Sequence, residues 1–433
     1  MVTLPVIVSS LIQLAFGSSS IPISPESRAA HEEQLSFRIR RLDVGEKNGW
    51  TYLTGAMALQ PKPSTALKAA LTAALDGKPY DIADLTKLAD QASCSRAILK
   101  EAVEKPYWQG PWDPAVVVSL PDFAAPLNAA RPIAALAITG FGQDRTADFI
   151  PDLELLLKLA DTSMQCSINL EDWLTAVASH QMLNRMVIQY LCGNHLKPEV
   201  MKELAWMLEN SQQPLGGIKE SLRHTFAGEL STIMRMGGSL EERERLMGQS
   251  LGGSTPRPWL RFLLWITFSA PETAPFFNRL AADIVARCDE PFDGLGHPAF
   301  AEVRAHEVPK TAWDYLQFNS MGRLMTIIHL RGYENLLRNA AIQLTGREAT
   351  IAAVALKRWE NDHDSQLPQS LEQLIPQYLS RHPVDLVDGK PLRYQPEKRL
   401  LYSIGADMID NIPAMPERPS LHSKEGEMIL LIP

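Results

Sequence analysis

The last quarter of the chain, from about residue 331 onward, constrains the fold more than any other stretch. Apolar residues recur there at helical spacing and predict one long amphipathic helix over 333–361, with an apolar stripe formed by Leu337, Ala341, Leu344, Ile351, Ala355 and Trp359. Pro368 predicts the start of a short helix, and Pro376 and Pro383 favour an extended connection after it. A long helix is therefore followed by largely non-helical structure.

Strand signals follow this connection. Asp388-Gly389 is a turn signal before Leu392-Arg393-Tyr394, and the next predicted strand covers Leu400 to Ile404. The apolar residues from Met428 to Ile432 predict a closing strand. We therefore expect a small α+β module in which the long helix packs against an antiparallel sheet.

The preceding residues predict a mainly α body. Helical patterns alternate with short breaks over 152–236, which is typical of stacked α-hairpins. We expect the apolar run from Trp313 to Phe318 to lie in the core. A chain of 433 residues is long enough for two or three domains. We place an N-terminal apolar segment with its linker at 1–30, a helical domain at 31–325 and the α+β module at 326–433.

The N-terminal segment is apolar, and the first charged side chain of the sequence is Glu26. Leu4 to Phe16 is shorter than the roughly 20 apolar residues that a transmembrane helix needs. Two interpretations stay open. The segment is either a signal peptide or anchor remnant, which would permit membrane association, or an amphipathic helix docked on the body.

Charge and cysteine content argue against some classes of function. The chain carries 42 basic and 50 acidic side chains, a formal charge of −8, and no Lys/Arg run stands out. We therefore predict no nucleic-acid partner. The four cysteines are scattered without metal-ligand spacing, and we interpret them as small buried apolar residues.

Histidine pairs typical of zinc hydrolases and phosphate-binding loops are missing from the sequence. None of the ten histidines forms a His-Glu-x-x-His or His-x-x-x-His pair, and there is no Walker-type loop. His180 lies on an apolar helix face, where we expect a hydrogen-bonded core residue rather than a catalytic base. We predict a non-enzymatic protein that binds other proteins, without catalytic residues or an organic cofactor. The first alternative is a hydrolase-type enzyme with its site in a cleft of the helical domain, and the second is a structural spacer without a specific ligand.

An aromatic loop would line the cleft of such an enzyme. It contains Tyr107, Trp108 and Trp112 among three prolines. These rings either form a ligand pocket or plug into the side of the core. A deep polar pocket with converging His, Asp or Glu would favour the enzyme, and an apolar groove without them would favour the binding protein.

A series of motifs follows the long helix in a characteristic order: Leu367-Pro368, Leu371 to Leu379, Pro383-Val384-Asp385, Gly389 to Tyr394 and Tyr402 to Asp407. This order resembles the globular part of type II secretion major pseudopilins. The resemblance implies a module that recognises proteins, and Tyr394 and Tyr402 are our interaction candidates within it. It also raises a calcium site, for which Asp407, Asp410 and Asn411 would supply oxygen ligands, against a plain solvent loop.

Three further stretches fit a wider resemblance: the segment from Asn48 to Leu59, the helices over 153–208 and the lead-in from Asn319 to Leu324. The whole chain is similar to a group of uncharacterised bacterial envelope proteins, of a kind abundant in planctomycetes and verrucomicrobia. This similarity implies a periplasmic or membrane-associated location, with envelope or secretion components as partners. Because the long helix lies mid-chain, we do not expect polymerisation of the pseudopilin type.

Overall fold

The computed structural model describes residues 45–60, 62–106, 108, 125–142, 146–167, 169–193, 197–211, 217–238, 267–306, 311–405, 407–410, 421–424 and 427–432. The predictions for the N-terminal segment, Tyr107, Trp112 and Asn411 lie outside the described residues. Where the chain is described, it is mainly helical and carries a small antiparallel sheet near its C-terminus, as the sequence predicts.

Most of the described α-helices follow one another along the chain with short connections between them. They are Gly49–Ala58 (α1), Thr65–Leu75 (α2), Ile82–Asp90 (α3), Ala92–Val103 (α4), Ala125–Gly142 (α5), Thr146–Gln165 (α6), Leu170–Leu191 (α7), Pro198–Asn210 (α8), Ile218–Met236 (α9), Ala270–Arg287 (α10), Ala301–Ala305 (α11), Ala312–Tyr315 (α12) and Ser320–Asp362 (α13). Single turns of 3-10 helix lie at Gly45–Lys47, Pro298–Phe300, Leu371–Leu374 and Pro396–Lys398.

Short polar side chains fix where several helices begin. Asn48 Oδ1 accepts a hydrogen bond from the Trp50 amide at 3.1 Å, and Asp81 Oδ1 accepts one from the Ala83 amide at 2.8 Å. Each bond satisfies an amide that has no partner within its own helix. Helix α1 therefore begins directly after Asn48, and α3 begins directly after Asp81.

The described residues divide between two compact units. The larger unit contains Arg41–Phe226, Leu280–Glu307 and Ile328–Pro433, and the smaller one contains Ala227–Arg279 and Val308–Ile327. The core of the smaller unit includes Met236, Phe268, Ala270, Met321 and Leu324. The domain boundary that we place at 325/326 stays a prediction.

Helix α7 lies at the centre of the larger unit and packs against α5 and α6. The face predicted to be apolar is buried, with members Trp173, Ala176, Val177, His180, Leu183, Met186, Val187 and Tyr190. Burying this many large apolar side chains removes them from water, which is the main favourable contribution to folding.

The C-terminal part contains the predicted long helix and sheet. Strands β1 (Arg393–Gln395), β2 (Leu400–Tyr402), β3 (Leu421–Lys424) and β4 (Glu427–Leu431) form one antiparallel sheet in the order β1-β2-β4-β3. Within it, Leu401 pairs with Tyr394 on one side and with Leu430 on the other. Helix α13 begins at Ser320, well before the predicted start at Tyr333. Strand β3 was not predicted from the sequence.

One prediction about the core is wrong. Trp313, Leu316 and Phe318 do not return to the interior, because they are 79%, 52% and 58% exposed. We refer to these three side chains as the apolar turn. They follow Thr311, whose side chain and backbone form a capping box with Asp314 at the start of α12.

Among the residues that the structure describes, no helix is both long and apolar enough to cross a bilayer.

Candidate functional site

The motifs after the long helix converge on one buried carboxylate, Asp385, which has no exposed surface. Its Oδ1 atom accepts hydrogen bonds from the Val387 amide and the Ser403 hydroxyl, both at 3.0 Å. Its Oδ2 atom accepts from the Ile404 amide at 2.8 Å and from Arg393 Nη1 at 2.7 Å. The Pro-Val-Asp and Tyr-Ser-Ile-Gly stretches are therefore joined through a single side chain.

Arg393 provides the positive charge that faces the carboxylates of this cluster. Its Nη2 atom donates to Asp388 Oδ2 at 2.6 Å, and its Nε atom lies 3.6 Å from Asp410 Oδ2. Burial alone would raise the pKa of Asp388, but the hydrogen bonds from Arg393 and the Lys390 amide, together with the charges of these two residues, leave that pKa below its ordinary value. Burial raises the pKa of Asp385, against the hydrogen bonds from Ile404 and Val387. One guanidinium thus serves three carboxylates.

The same cluster is attached to α13. Thr345 Oγ1 accepts a hydrogen bond from the Leu386 amide at 2.9 Å and lies 3.4 Å from Asp385 Oδ1. Thr345 is fully buried in the middle of the long helix. The connection after Pro383 is therefore held on the helix by polar contacts. Asp385, Asp388, Arg393, Ser403 and Thr345 are named below the C-terminal cluster.

A second buried residue of α13 reaches the body of the larger unit. Arg347, 3% exposed, donates from Nη2 to the carbonyl oxygens of Leu208 at 2.8 Å and Ser211 at 3.2 Å. These carbonyls lie at the C-terminal end of α8, where helical partners run out. Burial lowers the pKa of Arg347, while Glu348 and Asp161 act in the opposite direction. Arg347 thus provides hydrogen-bond donors for carbonyl groups at the end of α8.

A third polar group lies inside the body, on α6 and α7. His180 is 3% exposed, and its Nε2 atom lies 3.2 Å from Asp161 Oδ1. Asn184, one helical turn further along α7, is 1% exposed. His180 is therefore a core residue paired with a carboxylate. We refer to Asp161, His180 and Asn184 as the α7 cluster.

Trp108 is the one member of the aromatic-loop prediction that the structure describes. Its ring is buried, and its Nε1 atom donates to the Ala102 carbonyl at 2.9 Å. With Trp50 and Cys166 it lines a cavity of about 20 Å³, which has room for about one water molecule. The ring plugs the core, one of the two roles that the sequence left open, and the cavity is too small for an organic substrate.

The two tyrosine candidates are also packed. Tyr394 donates its hydroxyl to the Pro368 carbonyl at 3.0 Å, and burial raises its pKa to about 12. Tyr402 is buried in a small core cluster with Leu400 and Ile429. Tyr402 therefore supports the sheet from inside, and Tyr394 is half-buried beside it.

The structure separates the proposed calcium ligands into different roles. Asp407 Oδ1 accepts a hydrogen bond from the Ile409 amide at 3.1 Å, while Asp410 lies beside Arg393. Asn411 is outside the described residues. Within the described part of the chain, no three His, Cys, Asp or Glu side chains are grouped so that they could hold a metal ion.

The cysteines that the structure describes differ in burial. Cys288 is buried, Cys166 is partly buried and Cys192 is exposed. The prediction of a buried residue is therefore wrong for Cys192, which lies at the C-terminal end of α7. Burial raises the pKa of the Cys288 thiol to about 12, which keeps it protonated near neutral pH. The interpretation of Cys288 as a small buried apolar residue agrees with this position.

The apolar turn was missed as a surface feature. The sequence contains Thr311 and Asp314 at the spacing of a capping box, which marks a helix start but not the side of the chain that faces solvent.

No family model, no curated protein and no solved structure matches this chain. The geometry described above is therefore the basis for the functional argument.

Proposed function

We propose that this chain is a non-enzymatic, envelope-associated protein that binds other proteins, and that the apolar turn is its docking surface. The observation that carries the proposal is the exposure of Trp313, Leu316 and Phe318 within six consecutive residues. Large exposed apolar side chains that lie close together are typical of interaction sites.

The size of the turn suits the centre of an interface. From the side-chain areas and exposed fractions, the three residues offer on the order of 400 Å² of apolar surface. A stable protein–protein contact buries about 800 Å² on each partner. The apolar turn would therefore supply the desolvated centre, and polar residues around it would supply the rim. A partner with an apolar groove fits this surface.

We further propose that the C-terminal part is a pseudopilin-like module. The C-terminal cluster supports this, because residues from separate motifs, Asp385, Arg393 and Ser403, are hydrogen-bonded to one another. In this proposal the motif residues build the framework of a recognition module. They do not carry chemistry.

The hydrolase alternative has less support. His180 is paired with Asp161 in the interior and is 3% exposed, so it does not face a solvent-accessible substrate. Trp108, the described ring of the aromatic loop, fills space in the core. The binding protein therefore agrees better with where these side chains lie.

The test uses the full chain as bait on a solubilised envelope fraction. A triple variant, Trp313→Ser/Leu316→Ser/Phe318→Ser, is compared with Trp206→Ser, which removes another exposed tryptophan, on α8, that is 66% exposed. We expect the triple variant to lose the partners that the wild-type chain and Trp206→Ser retain.

Thermal unfolding of the variants controls for folding. The substituted side chains of the apolar turn are exposed, so the free energy of unfolding should change by less than about 0.5 kcal/mol per site. If the triple variant is folded and still captures every partner, the apolar turn is not the docking surface. Deleting 326–433 is a poorer test, because it would remove the Arg347 contacts to α8.

A further inference from the structure

Two side chains of the α7 cluster, His180 and Asn184, carry buried polar atoms that have no hydrogen-bond partner among the described residues. His180 Nδ1 and both amide atoms of Asn184 make no hydrogen bond to the described residues. His180 is 3% exposed and Asn184 is 1% exposed. Buried polar groups in folded proteins nearly always have a partner, either protein or ordered solvent. Three such atoms on adjacent side chains therefore indicate a site for a bound molecule.

The contact with Asp161 determines which hydrogen-bonding groups the site presents. His180 Nε2 lies 3.2 Å from the Asp161 carboxylate, whose negative charge favours the tautomer with its proton on Nε2. His180 Nδ1 is then an acceptor. Asn184 adds two N–H donors and one carbonyl acceptor. The bound molecule must therefore both donate and accept hydrogen bonds.

The spacing limits the size of that molecule. His180 and Asn184 are four residues apart on α7, which corresponds to a rise of about 6 Å along the helix axis. Two hydrogen bonds of about 2.9 Å that meet at one oxygen span a similar distance. This spacing is compatible with one water-sized oxygen that contacts both side chains.

The surrounding charge indicates that the molecule is neutral. Asp161 already lies against His180, and it also interacts electrostatically with the Arg347 guanidinium on α13. The protein therefore already places a positively charged side chain within electrostatic range of this carboxylate. An additional cation or anion would be an uncompensated buried charge, which is strongly unfavourable.

We infer that the α7 cluster is an internal water-binding site, in which one water donates to His180 Nδ1 and accepts from Asn184 Nδ2. The water holds the imidazole in a single tautomer and links it to the amide. The site belongs to the interior of the larger unit, so this inference is independent of the proposed docking surface.

A crystal structure of the full chain at about 1.8 Å provides the direct test. We expect an ordered water within about 3.3 Å of both His180 Nδ1 and Asn184 Nδ2. A map without an ordered atom in contact with both groups would overturn the inference, and so would a density that refines as a metal or an anion.

Thermal unfolding gives a second readout with opposite signs for the two cases. If water bridges the pair, Asn184→Leu leaves His180 Nδ1 without its partner network and lowers the melting temperature by about 2–4 °C. If the amide is simply unsatisfied, the same substitution raises it. Met182→Leu, at a buried apolar position on the same helix, is the matched control and should leave the melting temperature nearly unchanged. A raised or unchanged melting temperature for Asn184→Leu argues against the site.

Discussion

The C-terminal cluster and the α7 cluster are both buried and polar, but they are completed in different ways. Asp385 receives hydrogen bonds from two backbone amides, a hydroxyl and a guanidinium. Asn184 receives none from the described residues. The first cluster is complete within the protein, whereas the second requires a small molecule. The comparison shows that burial of a polar group alone does not reveal whether its role is structural or ligand-binding.

The strongest test of this contrast is Asp385→Ala. The substitution removes the most buried partner of Arg393 and leaves the donors of Val387, Ser403 and Ile404 without their acceptor. We therefore expect the free energy of unfolding to fall by about 3–5 kcal/mol. Urea unfolding measures it. Asp407→Ala, at an exposed acidic residue on the neighbouring loop, should cost less than about 0.5 kcal/mol. Equal effects of the two substitutions would show that the C-terminal cluster is not structural.

Arg347→Met should have the next largest effect. Methionine keeps much of the volume but cannot donate to the carbonyls of Leu208 and Ser211, so we expect a loss of about 2 kcal/mol. The free energy of unfolding from urea titration is again the readout. Arg358→Met, which removes a cation lying 5.4 Å from the Tyr378 ring, is the control and should cost about 0.5 kcal/mol. A neutral Arg347→Met would separate the C-terminal part from the body energetically.

The smallest expected effect is a difference in acid sensitivity. The pKa of Asp388 is below its ordinary value in the folded chain, because the hydrogen bonds and charges of Arg393 and Lys390 together outweigh the effect of burial. Its ionised form therefore stabilises the fold fully above about pH 4, and this stabilisation is lost as the pH falls through the lowered pKa. We expect the free energy of unfolding to fall less between about pH 4 and pH 2 in Asp388→Asn than in the wild type. Parallel pH profiles for both proteins would show that Asp388 is not coupled to folding.

Local sequence signals predicted much of the C-terminal fold, and the exceptions have physical reasons. The prolines and the Asp388-Gly389 turn located β1 and β2, and the apolar run at the end located β4. Strand β3 was missed because Leu-His-Ser-Lys has little alternation and weak strand propensity. The early start of α13 was missed because Gly322 and Gly332 normally disfavour a helix interior, a cost that packing can offset.

The contacts that build the candidate sites were less predictable. The sequence marked Asp385 as part of a motif, but it did not show that Ser403 and Arg393 would bind it. The contact of Arg347 with Ser211 joins residues 136 positions apart, beyond the reach of any local pattern. We predicted that Trp313 would be buried, because an apolar residue in a helical pattern usually is, but its side chain is exposed.

The long separation between Ser211 and Arg347 has a consequence for biosynthesis. The last turn of α8 leaves the ribosome well before the side chain that will satisfy its carbonyls. At elongation rates of about 5–20 residues per second, that delay lasts on the order of ten seconds. The carbonyl groups at the end of α8 therefore lack Arg347 during this part of synthesis. Premature termination after α8 would release a chain that a chaperone or protease can recognise.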